Sequence, residues 1–257
     1  MKLLLPYEPP YNWPALIRFL APRATPGVEQ ASPECYRRVL PQGWLEVRPH
    51  PRSHHLDVTV KGPARGLSAR LRRLFDTAAP VHEIEHHLSR SPRLAATVHR
   101  ESGLRIPGAW DAFELTVRAV LGQQVTVKGA TTLTGRLVER FGERTPHGML
   151  FPAPGALLDR DLAVIGLPRA RAAALSGVAA AFASARPPSG VADLMALPGI
   201  GAWTAQYVAM RAFKDPDAFP ASDLGLIRAA GTDVARQAEA WRPWRAYAAM
   251  HLWLEQR

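Results

Sequence analysis

The sequence predicts an α+β fold, with a small N-terminal antiparallel-sheet domain (residues 1–100) followed by a mostly helical one (residues 101–257). Two patterns carry that prediction. Between Trp44 and Val60 apolar and polar residues alternate at period two, the mark of strands with one buried face. From Asp111 onward apolar residues recur at three- and four-residue spacing, the mark of helices. A chain of 257 residues is long enough to bury apolar cores in both parts.

Each element follows from its local pattern. Trp13–Leu20 and Ser68–Phe75 are helical patches that flank the strands. Leu45 and Val47 oppose Glu46 and Arg48 across one strand, while Leu56, Val58 and Val60 oppose Asp57 and Thr59 across the next. Pro51 to His54 supplies the turn, so the two strands read as an antiparallel pair. In the helical part Phe113, Val117, Val120 and Leu121 share one face. A break follows at Gly122-Gln123-Gln124. The next helix carries Ala130, Leu133, Leu137, Val138 and Phe141 on one side and stops at Gly142. Pro152, Pro154 and Gly155 form a loop, Arg169 to Phe182 a helix, and Pro187, Pro188 and Gly190 a second connector. Trp244 to Leu254 is apolar around most of its circumference and reads as an inner helix.

The formal net charge is +10, and only Lys2, Lys61, Lys128 and Lys214 among the 32 basic residues are lysines. Arginine presents a planar, forked donor suited to phosphate. General solubility or a codon bias toward arginine produces the same excess. Cys35 is the sole cysteine, which excludes an internal disulfide, a thiolate metal site and a four-cysteine iron–sulfur cluster. The opening MKLLLPYEPPYNW breaks its leucine run at Pro6, too early for a signal-peptide core, and no apolar stretch reaches membrane-spanning length. A cytoplasmic, monomeric protein with no membrane association is expected.

The most informative stretch is Leu197-Pro198-Gly199-Ile200-Gly201-Ala202-Trp203-Thr204-Ala205. A helix ending near Leu197 turns through two glycines and re-enters a helix at once. Gly199 and Gly201 open backbone angles closed to other residues and leave room for an approaching ligand. The N–H groups that start the second helix then form an anion site. A plain helix–turn–helix corner explains a lone G-x-G equally well. The full string is the signature of the helix-hairpin-helix DNA-binding motif, which grips the backbone without reading sequence.

Downstream lies Phe219-Pro220-Ala221-Ser222-Asp223, separated from the hairpin by one helix and a proline-bearing loop. This order and spacing resemble the helix-hairpin-helix DNA glycosylase superfamily, with Asp223 in the place of its catalytic acid. The resemblance narrows to the AlkA-type 3-methyladenine DNA glycosylases and extends over nearly the whole chain. Pro9-Pro10-Tyr11, Trp13, Phe19-Leu20-Ala21 and Arg73-Leu74-Phe75-Asp76 carry it, as do Ala112-Phe113-Glu114 and Arg118-Ala119-Val120-Leu121-Gly122-Gln123. Trp241 to Arg245, Tyr247 and His251-Leu252-Trp253 are similar to its C-terminal helix. It implies an N-terminal α+β domain joined to two helical lobes with the active cleft between them.

The implied reaction is excision of alkylated bases, of the 3-methyladenine or 7-methylguanine type, from duplex DNA. Such bases are cationic, so the enzyme needs a carboxylate near C1′ rather than a strong acid. Asp223 fits; by itself, an Asp at this position is a helix cap. The lesion must flip out of the stack, and a cationic base is drawn to aromatic faces by about 0.5–2 kcal/mol each. Phe19, Trp203, Tyr207 and Trp253 match the family's pocket aromatics, with Gln123 beside them. Trp203 and Tyr207 at i, i+4 equally suit a packed helix face. Gly199, Gly201 and Thr204 are expected to hold DNA. Gln124 stands where the family inserts a wedge, often Leu, into the gap left by the flipped base.

Relatives that also cleave the backbone carry a lysine two residues after the second hairpin glycine; here Trp203 stands there, which predicts a monofunctional enzyme. No organic cofactor and no side-chain metal site are expected. His251 and the His86–His87 pair read as core or surface histidines rather than metal ligands. The resemblance implies Na+ or K+ on the main-chain carbonyls of Leu197 and Ile200. The alternatives are a glycosylase for oxidised or deaminated bases and a non-catalytic binder of DNA lesions.

Overall fold

A computed structural model describes residues 1–255. Its N-terminal part is one antiparallel sheet of five strands, β1 (Lys2–Pro6), β2 (Glu29–Ala31), β3 (Tyr36–Leu40), β4 (Gly43–Pro49) and β5 (His55–Lys61), in the order β1-β5-β4-β3-β2. The expected pair is β4–β5, registered with Leu45 opposite Val60 and Val47 opposite Val58. That register stacks apolar side chains on one face, where α1 (Trp13–Leu20) and α2 (Leu67–Phe75) cover them with Trp13, Leu16, Leu71 and Phe75.

Three strands were not legible in the sequence. β1 is a leucine run without alternation and β2 has only three residues. In β3, Arg38 occupies an inward position, so a charge interrupts the apolar pattern. Its guanidinium is matched by Glu29 at 3.3 Å and by Glu114 at 3.2 Å. Glu29 is held below the usual carboxylate range: burial opposes its charge, and Arg118 at 2.9 Å together with Arg38 outweighs that cost. A buried arginine without such partners would be strongly destabilising.

After α3 (Val81–Leu88) and α4 (Ala95–Arg100) comes α5 (Ala112–Leu121), which carries Glu114 and Arg118. The break at Gly122 precedes α6 (Val127–Phe141). The helix stops at Gly142 as expected, through extended rather than left-handed backbone (φ −75°). Glycine is needed because a Cβ there would lie 2.5 Å from the carbonyl oxygens of both Val138 and Leu150. A small hairpin, β6 (Glu143–Thr145) and β7 (Gly148–Leu150), leads to α7 (Arg169–Ala183). The chain closes with α8 (Val191–Met195), α9 (Ala202–Val208), α10 (Leu224–Ala230), α11 (Val234–Gln237) and α12 (Arg245–Leu254). A π-helical turn, Ala209–Phe213, continues α9.

The apolar cores follow space rather than chain order. One joins the inner face of the sheet, α1 and α2 to Met210, Phe219, Leu226, Trp241 and the buried face of α12. The other is formed by α5, Leu137, α7, Leu194, Ile200, Ala205 and Val208. Ala246 to Leu252 are buried, which makes α12 the inner helix its composition predicts. No described helix is long and apolar enough to cross a membrane.

Candidate active site

A cavity of about 390 Å³ opens where α1, the α5–α6 break, α9, the start of α10 and α12 converge. Asp223 stands on its wall as the N-cap of α10, where Oδ1 accepts from the Leu226 amide at 3.1 Å. The same carboxylate thus caps a helix and faces the cavity. The Trp253 indole donates to Oδ1 at 2.9 Å and the Trp203 indole to Oδ2 at 2.8 Å. Two donors on separate helices and one backbone amide restrict the carboxylate to a single orientation.

The expected aromatics meet here. Trp203 and Tyr207, one helical turn apart, stack at 5.1 Å with ring planes 9° apart. Trp253 meets Tyr207 edge-on at 6.3 Å and lies 6.3 Å from Phe19. Gly225 lets this cluster close: a Cβ there would sit 2.8 Å from Asp223 Oδ1 and 3.1 Å from Trp253 Cδ1.

Three arginines on the cavity wall were not among the expected site residues, although Arg118 heads a segment that carries the resemblance. Arg23 lies 3.9 Å above the Phe19 ring, and Arg118 bonds Glu29. Arg211 is buried, donating to the Pro107 carbonyl at 2.7 Å, to the Gly108 carbonyl at 2.9 Å and to the Tyr207 hydroxyl. Burial pushes the Tyr207 phenol up, but Arg211, Arg23 and Arg118 outweigh it and hold its pKa below the usual value. The only local signal was spacing, with Arg211 one turn beyond Tyr207.

Two residues differ from expectation. Gln123 does not line the cavity; its amide crosses to the hairpin and donates to the Gly199 carbonyl at 3.0 Å and to Thr204 Oγ1 at 3.2 Å. Thr204, expected against DNA, is buried and serves as the acceptor in that bridge. Gln124 is exposed at the apex of the break in left-handed backbone (φ 58°), flanked by Val125, an exposed apolar residue that lines the cavity.

The two hairpin glycines stand in different surroundings. Gly199 has φ +80°, and a Cβ there would meet that of Ala174 on α7 at 2.6 Å. At Gly201 a Cβ would meet no heavy atom within 4 Å, so its missing side chain leaves open space in front of the α9 amides. The Leu197 carbonyl accepts from the Ile200 amide at 3.1 Å within the turn.

Residues 2–111 match the AlkA N-terminal domain, and residues 117–240 match the HhH-GPD superfamily of base excision DNA repair proteins. The chain is 34% identical to DNA-3-methyladenine glycosylase 2 of Escherichia coli, over 97% of this chain and 95% of that one. The chain belongs to the AlkA family. It is also 39% identical to the probable bifunctional transcriptional activator/DNA repair enzyme AlkA of Mycobacterium tuberculosis, over 98% of this chain. It spans only 56% of that AlkA relative. The AlkA-type fold is seen again in the 3-methyladenine DNA-glycosylase of Archaeoglobus fulgidus, with a TM-score of 0.81 at 22% identity, covering 98% of this chain and 97% of that one.

Proposed function

We propose that this AlkA-family chain is a monofunctional DNA glycosylase that excises alkylated bases from duplex DNA and leaves an abasic site. The observation that carries the reading is the Asp223 carboxylate, fixed by two indoles on the wall of an aromatic cavity. With a cationic base flipped into the cavity, the C1′–N bond breaks and its electron pair neutralises the base. Asp223 faces the oxocarbenium-like sugar, and water adds at C1′, giving up its proton to solvent. Trp203 and Tyr207 offer a flat face for the electron-poor ring. No lysine lines the cavity among the described residues, which supports hydrolysis without backbone cleavage.

The hairpin reading adds phosphate contact at the open side of Gly201 and a monovalent cation on the Leu197 and Ile200 carbonyls. Neutral carbonyl oxygens suit a hard cation of low charge, which would fix the turn and add positive charge facing DNA.

A second reading rests on the arginines. Arg23, Arg118 and Arg211 make the wall less welcoming to a cationic base, and the Tyr207 oxygen, already accepting from Arg211, leaves its proton free for an acceptor on an uncharged base. Uncharged oxidised or deaminated bases suit that wall. Release of free base from methylated duplex DNA, compared with duplexes containing hypoxanthine or an oxidised purine, tests both. Release of methylated purines supports the first reading, release of only uncharged lesions the second, and binding without release would leave a non-catalytic lesion binder.

A further inference from the structure

The turn that joins β4 to β5 brings together three side chains that have no part in the cavity. His50 and His55 face each other across the strands, with the His50 amide donating to the His55 carbonyl at 3.1 Å. Their rings lie 4.5 Å apart. Asp57 follows His55 by two residues, so strand periodicity puts it on the same outer face of the sheet. His55 Nε2 and Asp57 Oδ1 are 3.2 Å apart, and one ligand atom from each of the three residues falls within 4.8 Å of the others. All three are partly exposed.

We propose that His50, His55 and Asp57 form a binding site for a transition-metal dication of the Zn2+ or Ni2+ type. Two imidazoles and one carboxylate are the donor set such ions prefer, with solvent completing the coordination. Ligand atoms on a tetrahedral Zn2+ at 2.0–2.1 Å lie about 3.3 Å apart. The His55–Asp57 separation already meets that value, and His50 needs only a side-chain adjustment at the end of an exposed turn.

The surrounding charges leave the site available. Asp57 is registered opposite Arg48, yet the Arg48 guanidinium bonds Glu46, which also takes Arg37. His55 is therefore the basic side chain that lies against Asp57. The cost of binding is one long contact, the Arg52 amide on His50 Nδ1 at 3.2 Å. Metal at Nδ1 replaces it, while metal at Nε2 moves the ring proton from Nε2 to Nδ1 and displaces it. An ion held here ties β4 to β5 beyond their last ladder bond. None of the three residues lines the cavity.

The test is calorimetric titration of Zn2+ into the full chain after chelator treatment, in a non-coordinating buffer. One Zn2+ per chain is expected, with a rise in Tm. His50→Asn and Asp57→Asn should each weaken binding at least about tenfold, the scale on which even outer-shell partners count. His54→Asn and His147→Asn should leave it unchanged. Should a variant fold poorly, paramagnetic Ni2+ added to the unaltered protein should broaden the His50 and His55 imidazole signals before any others. No binding at equimolar Zn2+, binding indifferent to His50→Asn and Asp57→Asn, or first broadening at other histidines would each overturn the site.

Discussion

The Trp203 indole donates to Asp223 Oδ2 at 2.8 Å across 20 residues of sequence. The side chain two residues beyond the second hairpin glycine is thus a hydrogen-bond donor that positions the carboxylate. An indole cannot form a Schiff base with the sugar. Borohydride should trap no covalent protein–DNA adduct, and product strands should break only after alkali. A trapped adduct would show that an amine acts as nucleophile.

Asp223→Asn should lower base release by at least about a hundredfold, the usual scale for losing a charge that stabilises a transition state. Asn keeps a side-chain oxygen for the Leu226 amide, so the α10 cap and DNA binding should survive. Turnover near that of the unaltered protein would falsify the catalytic assignment.

The hairpin glycines should separate in their effects. At Gly201 a Cβ meets no heavy atom within 4 Å and φ −88° is open to any residue, so Gly201→Val should lower Tm much less than Gly199→Val while weakening binding to damaged and undamaged duplex alike. Gly199→Val forces a β-branched residue to φ +80° and 2.6 Å from Ala174 Cβ, so it should lower Tm as well. Selective loss of lesion binding in Gly201→Val would move the hairpin's role to the base pocket.

Gln124 is exposed and held at φ 58°, an uncommon conformation outside glycine and asparagine. If its amide pairs with the base left opposite the flipped lesion, Gln124→Ala should slow excision from duplex DNA more than excision opposite an abasic gap. Gln124→Leu should retain most duplex activity. Equal, small effects on both substrates would transfer the wedge to Val125, the exposed apolar neighbour on the cavity wall.

His251 is a core residue of α12 whose Nδ1 has no partner among the described residues. Burial, reinforced by Arg100 and opposed by Glu255, pushes its pKa from 6.5 down to about 4. The native state therefore binds this proton less readily than the unfolded chain. Stability from this group is present above about pH 6.5 and lost as pH falls toward 4. The whole loss is on the order of 3 kcal/mol. Urea midpoints between pH 7.5 and 4.5 measure it, and His251→Leu should flatten the slope. A native imidazole that titrates near 6.5 by NMR would remove the basis for this dependence.

The amino-acid sequence by itself determined the features written by near neighbours along the chain. The β4–β5 pair follows from alternation, the helical faces from three- and four-residue spacing, and the hairpin from two glycines in a fixed string. Asp223 was legible as a cap and, through its distance from that hairpin, as a candidate catalytic acid. The stacked Trp203–Tyr207 pair follows from i, i+4 on one helix. Tertiary structure decided whatever depends on a partner far along the chain. Arg38 hides β3 because a buried charge is tolerable only with Glu29 and Glu114 beside it. Gln123 leaves the pocket because a carbonyl and a hydroxyl 76 and 81 residues away satisfy its amide. Arg211 reaches Tyr207 and the cavity because Pro107 and Gly108 offer it carbonyls, and His50 meets His55 because the strands register there. Local periodicity records which face of an element is buried; it carries no record of which distant group will satisfy a charge or a donor once that face closes.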